Sequence, residues 1–421
     1  SKHKWGSSDS SKNSNTGECS SSSTTSNSEE SSDGYRSRGS RDSRWKAIGS
    51  VERKQGGKLD LRHLKVLNKI GSGGDIGTVY LCQLIGTRCF FAMKVIDTEL
   101  LRRRKKLQRV EAETEILKIL HHPFLLTLYA HFTTNKFCCL VTDYCPGGDL
   151  RSLRLKQRMN RFSEKAARFY VAEVLLALEY LHVLGIVYRG LRPENVLISE
   201  DGHIVLSDFN LSVKCSSSNP PSLEASASSS SPSQEHSKRI SGGYQFVSSC
   251  MNPCQLTCFS PRFPSFPPNE AGPADLADRG RIVAVPQPVV EPAMARSNSL
   301  VGGKARHEYL APEIVGGGGH GSSVDWWTLG ILMYELLYGV TPFRGTSDED
   351  TVKNVVSESV RFPETVPGVS SRARDLIRRL LNKEPEGRLG SIRGAAEIKM
   401  HPFFQGVNWA LIRSETPPQV P

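Results

Sequence analysis

A change of periodicity near residue 147 limits the folds open to this chain more than any other feature. Upstream of it, short β-rich runs follow one another at residues 64–70, 79–84, 89–96 and 137–143, with one helical segment over 107–120. After Gly147-Gly148 the pattern turns helical: Ala167, Val171, Val174, Leu178 and Leu181 recur at three- and four-residue spacing, and Ser163 precedes them as an N-cap. Short strands follow at 196–198 and 204–206, and helical patterning returns at 325–338 and 373–382. The expected class is α+β: a small, mostly antiparallel sheet carrying one helix, then a larger helical region.

Two stretches read differently. Residues 1–60 are rich in Ser and Lys/Arg with few apolar residues, the composition of a disordered tail. A block over about 215–298 is full of Ser and Pro, and reads as a disordered insertion inside the helical region. There are no internal repeats.

Across 421 residues, 54 Lys and Arg outnumber 43 Asp and Glu, a net charge of +11. A basic balance suits acidic partners, membrane surfaces or nucleotides without choosing among them. The densest cluster, Arg102 to Lys106 with Arg109 nearby, reads as a solvated helix face. Nucleic-acid binding lacks its aromatic interleaving and reader motifs, so none is expected. Cys138, Cys139 and Cys145 lie in apolar, strand-like sequence and read as reduced core thiols. Cys250, Cys254 and Cys258 are spaced too evenly for the usual zinc pairs. Neither a signal peptide nor an apolar run long enough to span a bilayer is visible, so the chain reads as intracellular.

The glycine-rich stretch Gly71-Ser72-Gly73-Gly74-Asp75-Ile76-Gly77-Thr78-Val79 lies between two strand-like runs. Glycines let a backbone approach phosphates closely, although a plain hairpin turn has the same appearance. Fifteen residues on stands Lys94, which strand alternation puts on one face with Ala92. Glu113, on the following helix, is the anion best placed to hold Lys94, since Glu111 and Glu115 face elsewhere. Then come Tyr188-Arg189-Gly190-Leu191-Arg192-Pro193-Glu194-Asn195, Asp208-Phe209-Asn210, Ala311-Pro312-Glu313 and Asp325-Trp326-Trp327. In this order and spacing they form the signature set of a protein kinase.

On these motifs the chain resembles the plant AGC-class serine/threonine kinases, the phototropin-related and auxin-transport-regulating group. Ser43 to Ile48, His122-Pro123-Phe124-Leu125, His307 to Glu313 and His401 to Arg413 add to the resemblance, which covers about 64–421. It implies a two-lobed protein kinase fold, with a small sheet-rich N-lobe (about 64–145), a larger helical C-lobe (about 146–404) and a C-terminal extension (405–421). It implies ATP and Mg2+ as cofactors. Ile70, Gly71, Ser72, Gly73, Gly74, Gly77 and Val79 would cover the nucleotide. Ala92 and Lys94 would meet adenine and phosphate, with Glu113 holding Lys94. Asp143 to Cys145 would form the hinge to adenine, with Thr142 behind it. Asn195 and Asp208 would hold the metal. Asp149 and Glu194 match positions that meet ribose or basic substrate residues. Glu313 would pair with Arg388. Ser297 and Ser299 resemble activation-segment phosphorylation sites for an upstream kinase, with Arg189 as a receiver. The implied partner is a protein with basic residues near its target Ser or Thr. Membrane recruitment has weak support, because Lys238, Arg239 and Arg262 are scattered.

The chain departs from that group where the chemistry sits. Gly190 occupies the position of the catalytic base, an Asp, and glycine accepts no proton. Arg192 replaces a Lys, and Asn210 commonly is Asp. Before His307 the sequence Gly302-Gly303-Lys304-Ala305-Arg306 displaces the expected Gly-Thr, and the glycine loop carries one residue too many. A positioned acid or base contributes roughly 10²–10⁴-fold in rate. The expectation is therefore a serine/threonine kinase of reduced activity. The alternatives are a pseudokinase that binds nucleotide as a scaffold or allosteric partner, and an interaction protein acting through its Ser-rich segments.

Overall fold

A computed structural model of the protein describes residues 43–72, 77–104, 107–134, 136–215, 304–317, 321–364 and 366–418. They group into two units, one of residues 43–104 with 127–144, the other of 107–126 with everything from 145 onward.

The first unit opens with helix α1 (Ser43–Gln55). A sheet follows: β1 (Leu64–Ser72), β2 (Gly77–Leu84), β3 (Phe90–Asp97), β4 (Leu128–Thr133) and β5 (Phe137–Asp143), all antiparallel, in the order β1-β2-β3-β5-β4. Helix α2 (Thr98–Arg103) leaves β3 directly, capped by Asp97 on the amides of Glu99 and Leu100. Two sequence expectations are corrected here. The region 43–55, read as part of a disordered tail, is helical. Trp45, Ile48 and Val51 recur every three residues and lie against Leu64, Leu84, Phe91 and Tyr129 of the sheet core. So few apolar residues in a basic, Ser-rich stretch are too sparse a signal. The helix expected over 107–120 is observed as α3 (Leu107–Ile119), which groups with the second unit, but it is not alone: α2 precedes it and was not expected. Strand β4 also escapes a reading by pattern, since Tyr129, His131 and Thr133 blur its alternation.

The second unit is built on helices. After α4 (Leu150–Leu155), α5 (Glu164–Val183) starts at Ser163, whose hydroxyl accepts from the amide of Ala166. The strands β6 (Ile186–Val187), β7 (Val196–Ile198), β8 (Ile204–Leu206) and β9 (Val213–Lys214) pair as β6-β9 and β7-β8. Next come α6 (Pro312–Val315), α7 (Ser323–Tyr338), α8 (Asp348–Ser357), α9 (Ser371–Leu380) and α10 (Ala395–Lys399). From Val324 to Tyr338 every residue of α7 is buried, which makes it the core helix. Gly330 lets α9 approach it: a Cβ there would sit 2.9 Å from the Cβ of Leu380. The small sheet-rich part and the larger helical part together constitute the two-lobed protein kinase fold. The Ser/Pro block at 215–298 lies outside the described residues apart from Cys215, as do Ser297, Ser299 and the three Cys from 250 to 258. Among the described residues, no helix is long and apolar enough to cross a membrane.

Candidate active site

In the second unit, the loop following β6 is pinned from below. Asp325, fully buried on α7, accepts from the amides of Tyr188 (2.8 Å) and Arg189 (2.7 Å), and pairs with His182 Nε2 (2.8 Å). Three partners satisfy a carboxylate that burial would otherwise penalise heavily. Arg189 sits in the left-handed region (φ 56°), and its Nε donates to the carbonyl of Leu211 at 2.7 Å. That bond ties the loop to the segment following Asp208.

Gly190 comes next. Its carbonyl accepts from Asn195 Nδ2 at 2.7 Å. The Asn195 carbonyl in turn accepts from the amide (2.9 Å) and hydroxyl (3.0 Å) of Ser207, which precedes Asp208. Asp208 has φ 58°, a conformation that Asp tolerates better than most residues. Gly190, Asn195 and Asp208 are thus brought together. With the Asn195 amide nitrogen committed to Gly190, its carboxamide oxygen remains as the donor for a cation. Together with the Asp208 carboxylate it makes an all-oxygen set of the kind that hard divalent ions prefer.

Gly190 has no positive φ, so a side chain is conformationally allowed there. The surroundings are nonetheless close. A Cβ would lie 3.2 Å from the Asp208 carbonyl oxygen and 3.3 Å from Cζ of Tyr188. Tyr188 is fully buried, packs on Phe209 (5.3 Å between centroids) and donates its hydroxyl to the Ser207 carbonyl. Burial, reinforced by the charges of Asp208 and Asp325, raises its phenol well above the ordinary range. Tyr188 therefore stays protonated and is no substitute base.

The charged rim of this loop is internally paired. Glu194 meets Arg151 Nη1 at 2.8 Å and Arg192 Nε at 3.6 Å. Asp149 caps α4, accepting from the amide (2.8 Å) and hydroxyl (3.0 Å) of Ser152. Farther along, Arg388 is fully buried and holds Glu313 through two bonds of 2.6 and 2.9 Å, the bridge that the resemblance implied.

The first unit carries the other expected residues. Strand register sets Val79 and Leu140 across from Lys94, and Leu81 and Thr142 across from Ala92. Cross-strand partners share a face, so Val79, Ala92, Lys94 and Thr142 lie on one side of the sheet. Gly71 pairs with Val79 and Ser72 with Thr78, while Ile70 is exposed. Gly77 is needed for close approach: a Cβ there would come within 3.0 Å of the Val95 carbonyl oxygen. Gly73 and Gly74 lie outside the described residues. The Asp143 carboxylate is occupied by the amide of Thr127 (2.7 Å), the hydroxyl of Tyr129 (2.8 Å) and Arg44 (2.9 Å). Any hinge role of this residue is thereby left to its main chain. Glu113, on α3 of the second unit, is buried, while Glu111 and Glu115 are exposed, as helical spacing predicts. Cys145 is half-buried, Cys138 and Cys139 are buried, and none of the three forms a disulfide. Reading the sequence did not anticipate the anchoring role of Asp325 or the engagement of Glu194. The first is visible in sequence only as part of a motif, and the second depends on two arginines far apart in the chain, Arg151 and Arg192.

The fold and this loop define a protein kinase. The protein kinase domain family matches residues 64–233 and 293–404. The chain is 55% identical over 393 residues to serine/threonine-protein kinase KIPK2 of Arabidopsis thaliana, covering 91% of this chain and 40% of that protein. It is likewise 55% identical to serine/threonine-protein kinase KIPK1 of Arabidopsis thaliana (91% and 41% covered) and 51% identical to protein kinase PVPK-1 of Phaseolus vulgaris (92% and 63%). This chain belongs to the protein kinase domain family, among the plant AGC-type serine/threonine kinases. It spans about 40% of the length of the KIPK relatives.

Proposed function

We propose that this chain is an ATP- and magnesium-dependent serine/threonine protein kinase whose phosphoryl transfer is slowed by the glycine at position 190. The observation that carries the reading is the tie between Asn195 and Gly190, with Ser207 closing the loop onto Asp208. The loop is built and braced as a kinase loop although its base is missing. Lys94, which Glu113 would hold, would neutralise phosphate oxygens, and Asn195 and Asp208 would hold magnesium, which shields the charge of the transferring group. The acceptor hydroxyl attacks the terminal phosphorus, the bond to the bridging oxygen breaks, and the hydroxyl proton leaves to water. The step lost is orientation and deprotonation of the hydroxyl, about 3–5 kcal/mol of barrier.

The closeness of Tyr188 and of the Asp208 carbonyl to where a Cβ would stand at Gly190 favours a second reading, a pseudokinase that binds nucleotide and acts as a scaffold or allosteric partner. Both readings require Mg-ATP binding. The deciding experiment is thermal melting of the full chain with Mg-ATP, followed by peptide phosphorylation. Stabilisation that disappears in Asp208→Asn supports both readings, and slow transfer selects the first. A melting curve unmoved by Mg-ATP rejects both.

The finer expectations belong to the same proposal. They are a kinase domain over 64–404 divided near 145, an insertion at about 215–298, an extension over 405–421, an intracellular setting in the cytoplasm, the nucleus or at the inner face of the plasma membrane, and an upstream kinase acting at Ser297 or Ser299.

A further inference from the structure

The loop between α4 and α5 is held in a costly backbone shape. Met159 and Asn160 both sit in the left-handed region, at φ 62° and 54°. Asn tolerates that conformation, but Met gains nothing from it. The surroundings enforce it. Arg154 Nη1 donates to the carbonyls of Asn160 (2.7 Å) and Gly339 (3.0 Å), while its Nη2 holds Glu335 at 2.8 Å. The amide of Phe162 donates to the carbonyl of Leu336 at 2.8 Å. Arg161 Nη1 donates to the carbonyl of Pro367 at 3.2 Å. Strain held in place in this way clusters at ligand clamps. Its effect here is to leave Met159 68% exposed.

Met159 lines a cavity of about 550 Å³ between this loop, the end of α7 and the loop before α9. That volume suits a small-molecule site. Buried Phe162, Leu337 and Val369 give it apolar walls, and Arg158 and Arg161 give it positive charge. Arg158 is exposed and has no ion pair or hydrogen bond among the described residues. Arg161 meets the Pro367 carbonyl and the Met159 sulfur (3.9 Å), neither of them an anion. The acid among the lining residues, Glu164, is occupied: its oxygens accept from the amide (2.6 Å) and hydroxyl (2.9 Å) of Ser370. None of the lining residues belongs to the loop at 188–195.

Apolar walls take an apolar body, and a planar guanidinium grips a carboxylate through paired bonds. We propose that this cavity binds a small organic anion, a carboxylate on an apolar body. Its head would lie on Arg158 and Arg161, and its body against Met159, Phe162 and Val369. The lining shares no residue with the proposed metal site, so the inference stands or falls independently of the kinase reading.

The test is isothermal titration calorimetry of the full chain with dodecanoate, dodecyltrimethylammonium and acetate, each below micelle-forming concentration. Dodecanoate is expected to bind at about one site per chain, and dodecyltrimethylammonium at least about tenfold more weakly. Acetate, a head without a body, should not saturate. Arg158→Gln should weaken dodecanoate about tenfold, through loss of a charge-assisted bond. Because Arg158 is exposed and unpaired among the described residues, this variant should keep the wild-type melting curve. Met159→Gly should also weaken binding, while its urea midpoint stays at or above wild type, since glycine adopts the left-handed shape freely. Equal affinity for the two long-chain ions, several dodecanoates bound with strengths unmoved by both variants, or no saturable binding would each overturn the assignment.

Discussion

Asn195 donates its side-chain amide to the main-chain carbonyl of Gly190 at 2.7 Å, a bond that asks for no side chain at position 190. The tie uses only backbone on the Gly190 side, so it forms whatever residue stands there. It also orients the Asn195 oxygen. Under the proposed magnesium site, replacing Asn195 by Ala would remove both a metal donor and the brace. The Mg2+ concentration giving a half-maximal nucleotide-induced melting shift should rise about tenfold or more. An unchanged magnesium requirement would remove Asn195 from the metal site.

The bridge between Arg388 and Glu313 is a buried pair, and removing one partner strands the other charge. Glu313→Gln should cost about 3–5 kcal/mol in urea unfolding. Arg388 also donates to the carbonyls of Ser323 (2.8 Å) and Asn382 (3.0 Å), so Arg388→Ala should cost at least as much. A midpoint within error of wild type for Glu313→Gln would show the bridge to be energetically idle.

Lys383 lies over the rings of Phe343 (3.8 Å) and Trp327 (4.9 Å), which stack on each other. Burial lowers its ammonium from 10.5 to about 8, against the opposing pull of Glu358. The unfolded chain then binds more protons than the folded one between pH 8 and 10.5. This lysine's contribution to stability is therefore full above the unfolded value and is lost as pH falls through the folded one. Lys383→Met should be more stable than wild type at pH 7, with the gap closing as pH rises through that window. Parallel stability curves for the two proteins would contradict this account of Lys383.

Helix α1 is held to the sheet by Ile48, only 2% exposed, and by Trp45, whose ring lies 5.0 Å from that of Tyr129. Ile48→Ala should destabilise the chain by about 2–5 kcal/mol, measured by chemical denaturation. A loss below about 0.5 kcal/mol, the range of surface substitutions, would mean that the helix is not part of the first unit's core.

Much of the fold is legible in the amino-acid sequence. Strands with clean alternation or strong β-branching, such as β3, β5, β7 and β8, emerge near their observed bounds. So does α5, because its apolar stripe and Ser163 cap agree. Legibility fails where one signal is diluted by another. The few apolar residues of α1 sit among Ser, Lys and Arg, and β4 mixes His and Thr into its alternation. Of the site, Gly190, Asn195 and Asp208 can be placed because motif order fixes them. The engagement of Glu194 cannot, because Arg151 reaches it from α4, and such tertiary pairing leaves no trace in local sequence. Nor can the closeness of the Asp208 carbonyl to Gly190, which follows from how two separate segments meet.

The central proposal is that the lack of a carboxylate at position 190 is what slows phosphoryl transfer by this chain. The most direct measurement compares the initial rate of peptide phosphorylation by wild type, Gly190→Ala and Gly190→Asp under saturating Mg-ATP. The added Cβ presses on Asp208 and Tyr188 in both variants, so each should lose about 1 kcal/mol of stability. Only Gly190→Asp should gain rate, by roughly 10²–10⁴-fold. A wild type as fast as Gly190→Asp, or a gain shared by Gly190→Ala, would contradict the account.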